Sequence, residues 1–486
     1  MTFQNNHSST FFFQQMKVLL SKCADINHQI VTIQNRRVHF VTCIGLSNAT
    51  YINEVIIPSL TDYLTIKTIQ QKNANLLNEW NFLYKTTFIQ PDELTNQVFD
   101  GNLILYFEKE QELYTIQTSE HPQRQPQEAI TETSLRGARD GFIEEIDVNV
   151  ALIRKRLRTD ALTYKKFLIG KRSKTKVGLL YMNDIANPSM IRLVEEKLHA
   201  IDIDALISST QLEELFSERK FPLFPYFDYT ERPDYATQLL LNGRFIIVVD
   251  QSPSVISGPV NLLLLTKSPE DAHTFYLLAT MQRMFRFLSI VVAIALPAFW
   301  VALTTYHQDQ LPLPLLGTII TSRHGIPVNA PLEMFVLMII FELVREAGLR
   351  LPSIAAQSLG IIGGIIIGDA AIRAGLVSPS FLVVAATSAV ASFTLINQAL
   401  VGSVTFLRFS LLFASAFLGL FGFFTSLFFI ITYTANIRSF FLPYLTPISP
   451  LHFKDLVKAL VRIPAAKISK RSDSFLLLDK TKKGKK

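Results

Sequence analysis

The stretch 355-AAQSLGIIGGIIIGDAAIRAG-375 decides how the chain is read. It is too rich in glycine for a helix in water and too apolar for a loop, which leaves a membrane-buried helix packed closely against others. Ala356, Gly360, Gly364 and Gly368 recur every fourth residue, so they share one face and let a neighbouring backbone approach to short range. One position along run Gln357, Ile361, Ile365, Asp369 and Arg373, polar at both ends and aliphatic between. A water-filled path gated by dewetting needs polar ends around such an apolar waist. Equally, Asp369 and Arg373 fit an i, i+4 ion pair at a helix end, with the isoleucines against lipid or another helix. Periodicity alone does not separate the two readings.

Around this stretch lie further apolar segments. Phe285 to Leu303 reads as the first span, Ile354 to Ile372 and Pro379 to Ile396 as the next two, and Phe409 to Ala435 as a last one long enough to tilt. Between Asn329 and Val344, Glu333 and Glu342 interrupt an apolar run, which predicts an amphipathic or re-entrant helix buried against protein. Glu342, Arg345 and Glu346 stand at i, i+3 and i, i+4, the spacing of a buried ion-pair network. Arg283 and Arg286 open the first span, and Lys454, Lys458, Arg462 and a terminal KTKKGKK follow the last. Basic residues are retained on the cytoplasmic side, so the N-terminal region and the tail are expected there and the number of crossings is even, with four preferred over six. That scheme leaves Arg345, Arg350 and Arg408 on the far side.

The 486 residues are enough for more than one domain, and their apolar content is unevenly spread, with most of the 37 phenylalanines in the second half. The net charge of +7 is explained by cytoplasmic retention before nucleic acid need be invoked. Cys23 and Cys43 have no ligand-type spacing to histidine, so neither a disulfide framework nor a zinc site is expected. The apolar patch FFFQQMKVLL at 11–20 lacks the basic start and small-residue cleavage site of a secretion signal.

The first half reads as α/β. Residues 1–35 are polar and expected to form a flexible arm. RRVHFVTC from Arg36 is a strand, LSNATYINEVIIPSL a turn and helix, and NLILYF with ELYTIQ a strand pair. The order recurs: TKVGLLYM precedes NDIANPSMIRLVEEKL, a strand and then a helix opened by Asn187 and Pro188, and LLNGRFIIVV parallels VFDGNLILYF. The spacing from Val38 to Gly101 resembles that from Val177 to Gly243, which predicts a duplicated α/β unit. The expected layout is an arm (1–35), subdomain 1 (36–120), a linker (121–140), subdomain 2 (141–282), an all-α multi-pass transmembrane domain (283–438) and a basic tail (439–486). In GFIEEIDVNVALIRKRLRTDAL, Ile146, Val150 and Ile153 fall at helical spacing with acids early and bases late, the pattern of a helix docking one subdomain onto the other. Glu231, Arg232 and Asp234 in FPLFPYFDYTERPD suit a local salt-bridge and capping network.

No P-loop, GxGxxG, HExxH or GxSxG motif occurs. His307, beside Asp309, and His324 are the histidines near the apolar segments, placed for interfacial hydrogen bonding or proton sensing. Nothing in the sequence points to an enzyme or a cofactor.

From about Gly141 to Asp455 the chain resembles the A subunits of GerA-type spore germinant receptors. The resemblance is carried by GFIEEIDVNVALIRKR, GKRSKTKVGLLYM, TERPD, GRFIIVVD, SPED, LPAFWVALTTYHQDQLP, FELVREAGLRLP, GIIGGIIIGDAA and GLVSP. It implies a multi-pass protein of the spore inner membrane, partnered by a transporter-like B subunit and a lipoprotein C subunit and self-associating into a ring that forms a nutrient-gated cation channel. The family's proposed pore helix corresponds to Gln357 through Asp369, with nutrient recognition left to the B subunit. Three departures stand out: Asp369 in place of an uncharged amide, His324 in SRHGIP in place of an acid or amide, and no proline near Leu395 to Asn397. A non-conducting signalling scaffold is the alternative.

Overall fold

The computed structural model describes residues 23–33, 36–69, 84–85, 97–109, 111–120, 137–216, 222–350, 368–464, 470–472 and 477–482. The chain divides into two compact units: Met1–Glu218 with Phe227–Pro259 and Ile468–Lys486, and Arg219–Tyr226 with Val260–Lys467.

The first unit contains two sheets of one design. Strands β1 (Ile26–Ile33), β2 (Arg36–Cys43), β3 (Tyr84–Lys85), β4 (Leu103–Phe107) and β5 (Glu112–Ile116) form the first, ordered β1-β2-β4-β5-β3 and antiparallel throughout. After β2 comes a helical run, α1, made of Ala49–Tyr51, a π-helical turn Ile52–Ile56 and Ile57–Ile69. It starts where Asn48 takes a hydrogen bond from the Tyr51 amide, the cap that a short polar side chain provides. Its Ile52, Ile56, Leu60 and Leu64 pack on Val38, Phe40, Leu103 and Leu105.

Helix α2 (Ile146–Arg154) links this repeat to the next. The second sheet uses β6 (Leu162–Ile169), β7 (Thr175–Met182), β8 (Asp228–Thr230), β9 (Phe245–Val249) and β10 (Val255–Gly258), ordered β6-β7-β9-β10-β8. All four pairings are again antiparallel. Helix α3 (Pro188–Ala200) follows β7 with Asn187 as cap and proline at its first position, where the missing N–H costs nothing. Helices α4 (Ser209–Phe216) and α5 (Pro233–Leu241) flank β8. The duplicated order and the α/β character match the sequence reading. Gly101 and Gly243, at φ +83° and +81°, close equivalent turns: Gly101 N–H donates to Val98 O and Asn102 N–H to Gln97 O, as Gly243 does to Leu240 O and Arg244 to Leu239 O. A left-handed residue at each helix end explains why glycine recurs there.

The expected polar arm is corrected in part. Residues 26–33 pair with β2 over their whole length; Asn27, His28 and Gln29 break the apolar alternation that marks a strand. Residues 1–22, with the short apolar patch, and residues 121–136 of the expected linker (121–140) lie outside the described residues.

The second unit is helical. Helix α6 (Tyr276–Tyr306) packs along α11 (Gln398–Ala435) and α10 (Pro379–Phe393). Helices α7 (Leu313–Arg323), α8 (Ala330–Arg350) and α9 (Gly368–Arg373) lie between them in sequence. A small β-ribbon of β11 (Arg438–Ser439) and β12 (Leu442–Pro443) precedes α12 (Phe453–Leu460). Among the described residues, α6 and α11 are long and apolar enough to cross a membrane. Helix α10, at 15 residues, reaches only about 22 Å against about 30 Å of hydrocarbon. Residues 351–367, most of the expected second span, lie outside the described residues.

Candidate functional site

In the first unit the recurring motifs build structure. Arg154 of α2 is fully buried and grips Asp25 with Nε to Oδ2 at 3.0 Å and Nη2 to Oδ1 at 3.2 Å. Its Nη1 donates to the carbonyls of Leu162 and Thr159 at 3.0 and 3.1 Å, and its guanidinium lies 4.0 Å from the centre of the Phe99 ring. Because Asp25 and Phe99 belong to the first repeat and Leu162 to the second, this one side chain joins both. Cys23 and Cys43 sit beside it, the latter with its thiol 3.7 Å from Asp25 Oδ2. Burial pushes the Cys23 thiol up to about 11 and Cys43 well above its ordinary value, so neither is a thiolate nucleophile at neutral pH. The helix at 146–154 is thus the docking element expected from its pattern, and Arg154, one of the bases at its end, is fully buried, as is Asn149.

The other motif residues close on one another. The Asn149 side chain bonds Ile143 N–H and C=O, Phe142 N–H donates to Glu231 O, and Asp250 accepts from Ile146 N–H. Arg232 and Asp234 form a pair at 2.7 Å in the first turn of α5.

At the start of α6, SPED forms a capping box in which Ser268 and Asp271 satisfy each other's backbone. The buried Asp271 carboxylate takes both Arg283 Nε (2.7 Å) and Arg286 Nη1 (2.9 Å). Arg283 and Arg286, one helical turn apart, are on one face because of that spacing. Spacing along the chain places the two arginines together, but their shared partner, 12 and 15 positions back, is set by tertiary packing.

Among the apolar helices three polar constellations stand out. Arg408 of α11, 2% exposed, reaches Glu342 of α8 at 3.2 Å, and Glu342 also pairs with Arg345. Glu342 and Arg345 are part-buried, while Glu346 is exposed. Arg408, singled out in sequence only as a misplaced charge, is the buried member. Glu333 accepts from both the N–H and the hydroxyl of Ser378 at 2.6 Å and stands 3.4 Å from Arg323 Nε. A half-open cavity of about 220 Å³ adjoins it, lined by Thr304, Gln308, Ile320, Arg323 and His324. His307 ends α6, its Nδ1 3.4 Å from Ala302 O.

The third constellation is a break in α11. Gly419 has φ +59° and ψ −140°, so the helical hydrogen bonds fail locally and carbonyls are freed. The Tyr306 hydroxyl donates to one of them, Ala416 O, at 2.7 Å. A Cβ on Gly419 would lie 3.0 Å from the Tyr306 ring, so both conformation and space require glycine.

Of the glycine-rich stretch, Gly368 is buried against Leu382 of α10. Asp369 pairs with Arg373 at 2.9 Å, with side chains 55% and 79% exposed. Ala356, Gln357, Gly360, Ile361, Gly364 and Ile365 lie outside the described residues. Among the described residues no group of three histidine, cysteine or acidic side chains is placed to hold a metal.

Comparison with known proteins agrees with the resemblance seen in the motifs. The family model described as Bacillus/Clostridium GerA spore germination protein matches residues 14–474. Spore germination protein XA of Bacillus anthracis is 40% identical over 96% of this chain and 94% of its own. An uncharacterized membrane protein, YfkQ, of Bacillus subtilis is 32% identical over 95% and 90%, and spore germination protein KA of Bacillus subtilis 34% over 81% and 72%. The crystal structure of the N-terminal domain of the A subunit of the Bacillus megaterium spore germinant receptor GerK3 aligns over 51% of this chain and 92% of that domain, with 22% identity and a TM-score of 0.38.

Proposed function

The chain belongs to the GerA family of spore germination proteins, and from that premise we propose that it is the A subunit of a germinant receptor in the spore inner membrane, assembling in several copies into a nutrient-gated cation channel. Its partners in this reading are a transporter-like B subunit and a lipoprotein C subunit. The observation that carries the conducting role is the exposed Asp369–Arg373 pair at the end of the glycine-rich stretch. Charged groups facing lipid cost several kcal/mol, on the order of 3 at the membrane centre, so an edge bearing them favours water or another copy of the chain. Supporting the orientation, residues 470–472 and 477–482 return to the first unit after the last long helix. A soluble region and tail on one side of the membrane require an even number of crossings, and we keep four, with both facing the spore core.

Gating then follows from differential affinity: nutrient at the B subunit favours an open state in which the waist of Ile361 and Ile365 wets. The test is current through purified receptor in planar bilayers, with and without nutrient. Nutrient-dependent cation current, made constitutive by Ile365→Ala, is the expected result. Silence of a receptor that still binds nutrient overturns the conducting role and favours a scaffold that relays the signal.

A further inference from the structure

The two repeats of the first unit share one turn and its backbone bonds. After β2, the amides of Leu46 and Ser47 both donate to Cys43 O, and Asn48 caps α1; after β7, Ile185 and Ala186 both donate to Met182 O, and Asn187 caps α3. Leu46 and Ile185 therefore occupy the same place, each against the left-handed glycine of its repeat, Gly101 or Gly243.

What covers that place differs in origin. In the first repeat it is the chain immediately after β5: Glu120 N–H donates to Leu46 O at 2.8 Å, Ser119 bridges Ser47, and Ser119 Cα lies over Gly101. In the second repeat the chain after β10 is diverted, with the Leu262 amide bonded to Tyr444 O in the helical unit, so the neighbouring segment cannot serve. The cover comes instead from more than 200 residues downstream. Leu478 N–H donates to Ile185 O at 3.1 Å, and the buried Leu477 side chain fills the space over Gly243. Arg471 fastens the segment by donating to Leu241 O at 2.8 Å, the last residue of α5, while holding Asp479 at 2.7 Å.

We propose that residues 470–472 and 477–482 are a donated clasp, with Leu477 and Leu478 completing the second repeat as Ser119 and Glu120 complete the first. The surface around Ile185, Leu241 and Gly243 is then a docking site for this segment of the chain's own tail.

The test uses the full-length protein in detergent and a form ending at Ser469, with a labelled peptide of residues 470–486 as the probe. Saturable binding of the peptide to the shortened form alone is expected, and a Leu477→Asp peptide should bind about ten- to a hundred-fold more weakly, the loss for a buried leucine. Should the shortened form fail to fold, full-length Leu477→Asp serves: amide exchange across residues 241–245 should quicken at least about ten-fold while that across 101–105 is unchanged. No peptide binding by a folded shortened form, or unchanged exchange at 241–245 in Leu477→Asp, overturns the proposal.

Discussion

Replacing Arg154 with alanine tests how the two repeats are held together. Arg154 and Asp25 are 0% and 3% exposed, and four hydrogen bonds converge on the guanidinium. The substitution leaves the Asp25 carboxylate and two carbonyls buried without their donor. Breaking a buried pair by removing one partner costs about 3–5 kcal/mol, where each 1.4 kcal/mol is about a factor of ten. Local opening of the interface should therefore become roughly a hundred- to several thousand-fold more frequent. The assay is amide hydrogen exchange of the intact protein in detergent, read on peptides covering β1, β2 and α2 and, as an internal reference, on α6. Acceleration confined to the first unit is expected. A double variant, Asp25→Asn with Arg154→Met, should recover much of the loss because no charge is then stranded. Exchange in Arg154→Ala within three-fold of wild type would refute the reasoning.

Stability of the first sheet should depend on pH through His28 and His39, whose rings lie 5.1 Å apart with Nε2 and Nδ1 at 2.9 Å. Burial first, and for His28 then the His39 ring, lowers both below their ordinary value of 6.5. The unfolded chain therefore binds protons more readily, so the stability is present above about pH 6.5 and lost as pH falls through the lowered folded values; a His28→Gln variant should flatten that slope in melts between pH 7.5 and 5. Gly419→Ala should destabilise α11 by roughly 1–3 kcal/mol, since it forces a left-handed alanine against Tyr306, and a melting temperature equal to wild type would contradict it. Arg408→Gln should leave Glu342 without its buried partner and lower the yield of folded protein from detergent, with Arg408→Lys recovering only part; equal yields for all three would count against the pair.

Much of the fold could be read from the sequence because local signals agreed: Asn187 and Pro188 at a helix start, and glycine at both 101 and 243. The edge strand β1 was hidden because its polar residues, His28 among them, carry internal contacts that hydropathy does not register. Arg154 was legible as a helix residue but not as a buried one, since its partner lies 129 positions away. The same limit hid Glu333 with Ser378, Arg408 with Glu342 and Leu478 with Ile185: each pair is set by tertiary packing, which spacing along the chain does not encode. For Asp369 and Arg373, by contrast, the i, i+4 spacing offered an ion pair as one of two readings, and that pair forms.

The most direct test of the conducting account is a single-particle map of the receptor assembled in lipid, viewed down its symmetry axis. The account predicts several copies of the 355–375 segment around a central opening, with Ile361, Ile365 and Asp369 facing it. A map that packs those residues into protein or lipid, with no aqueous opening beside them, would contradict it.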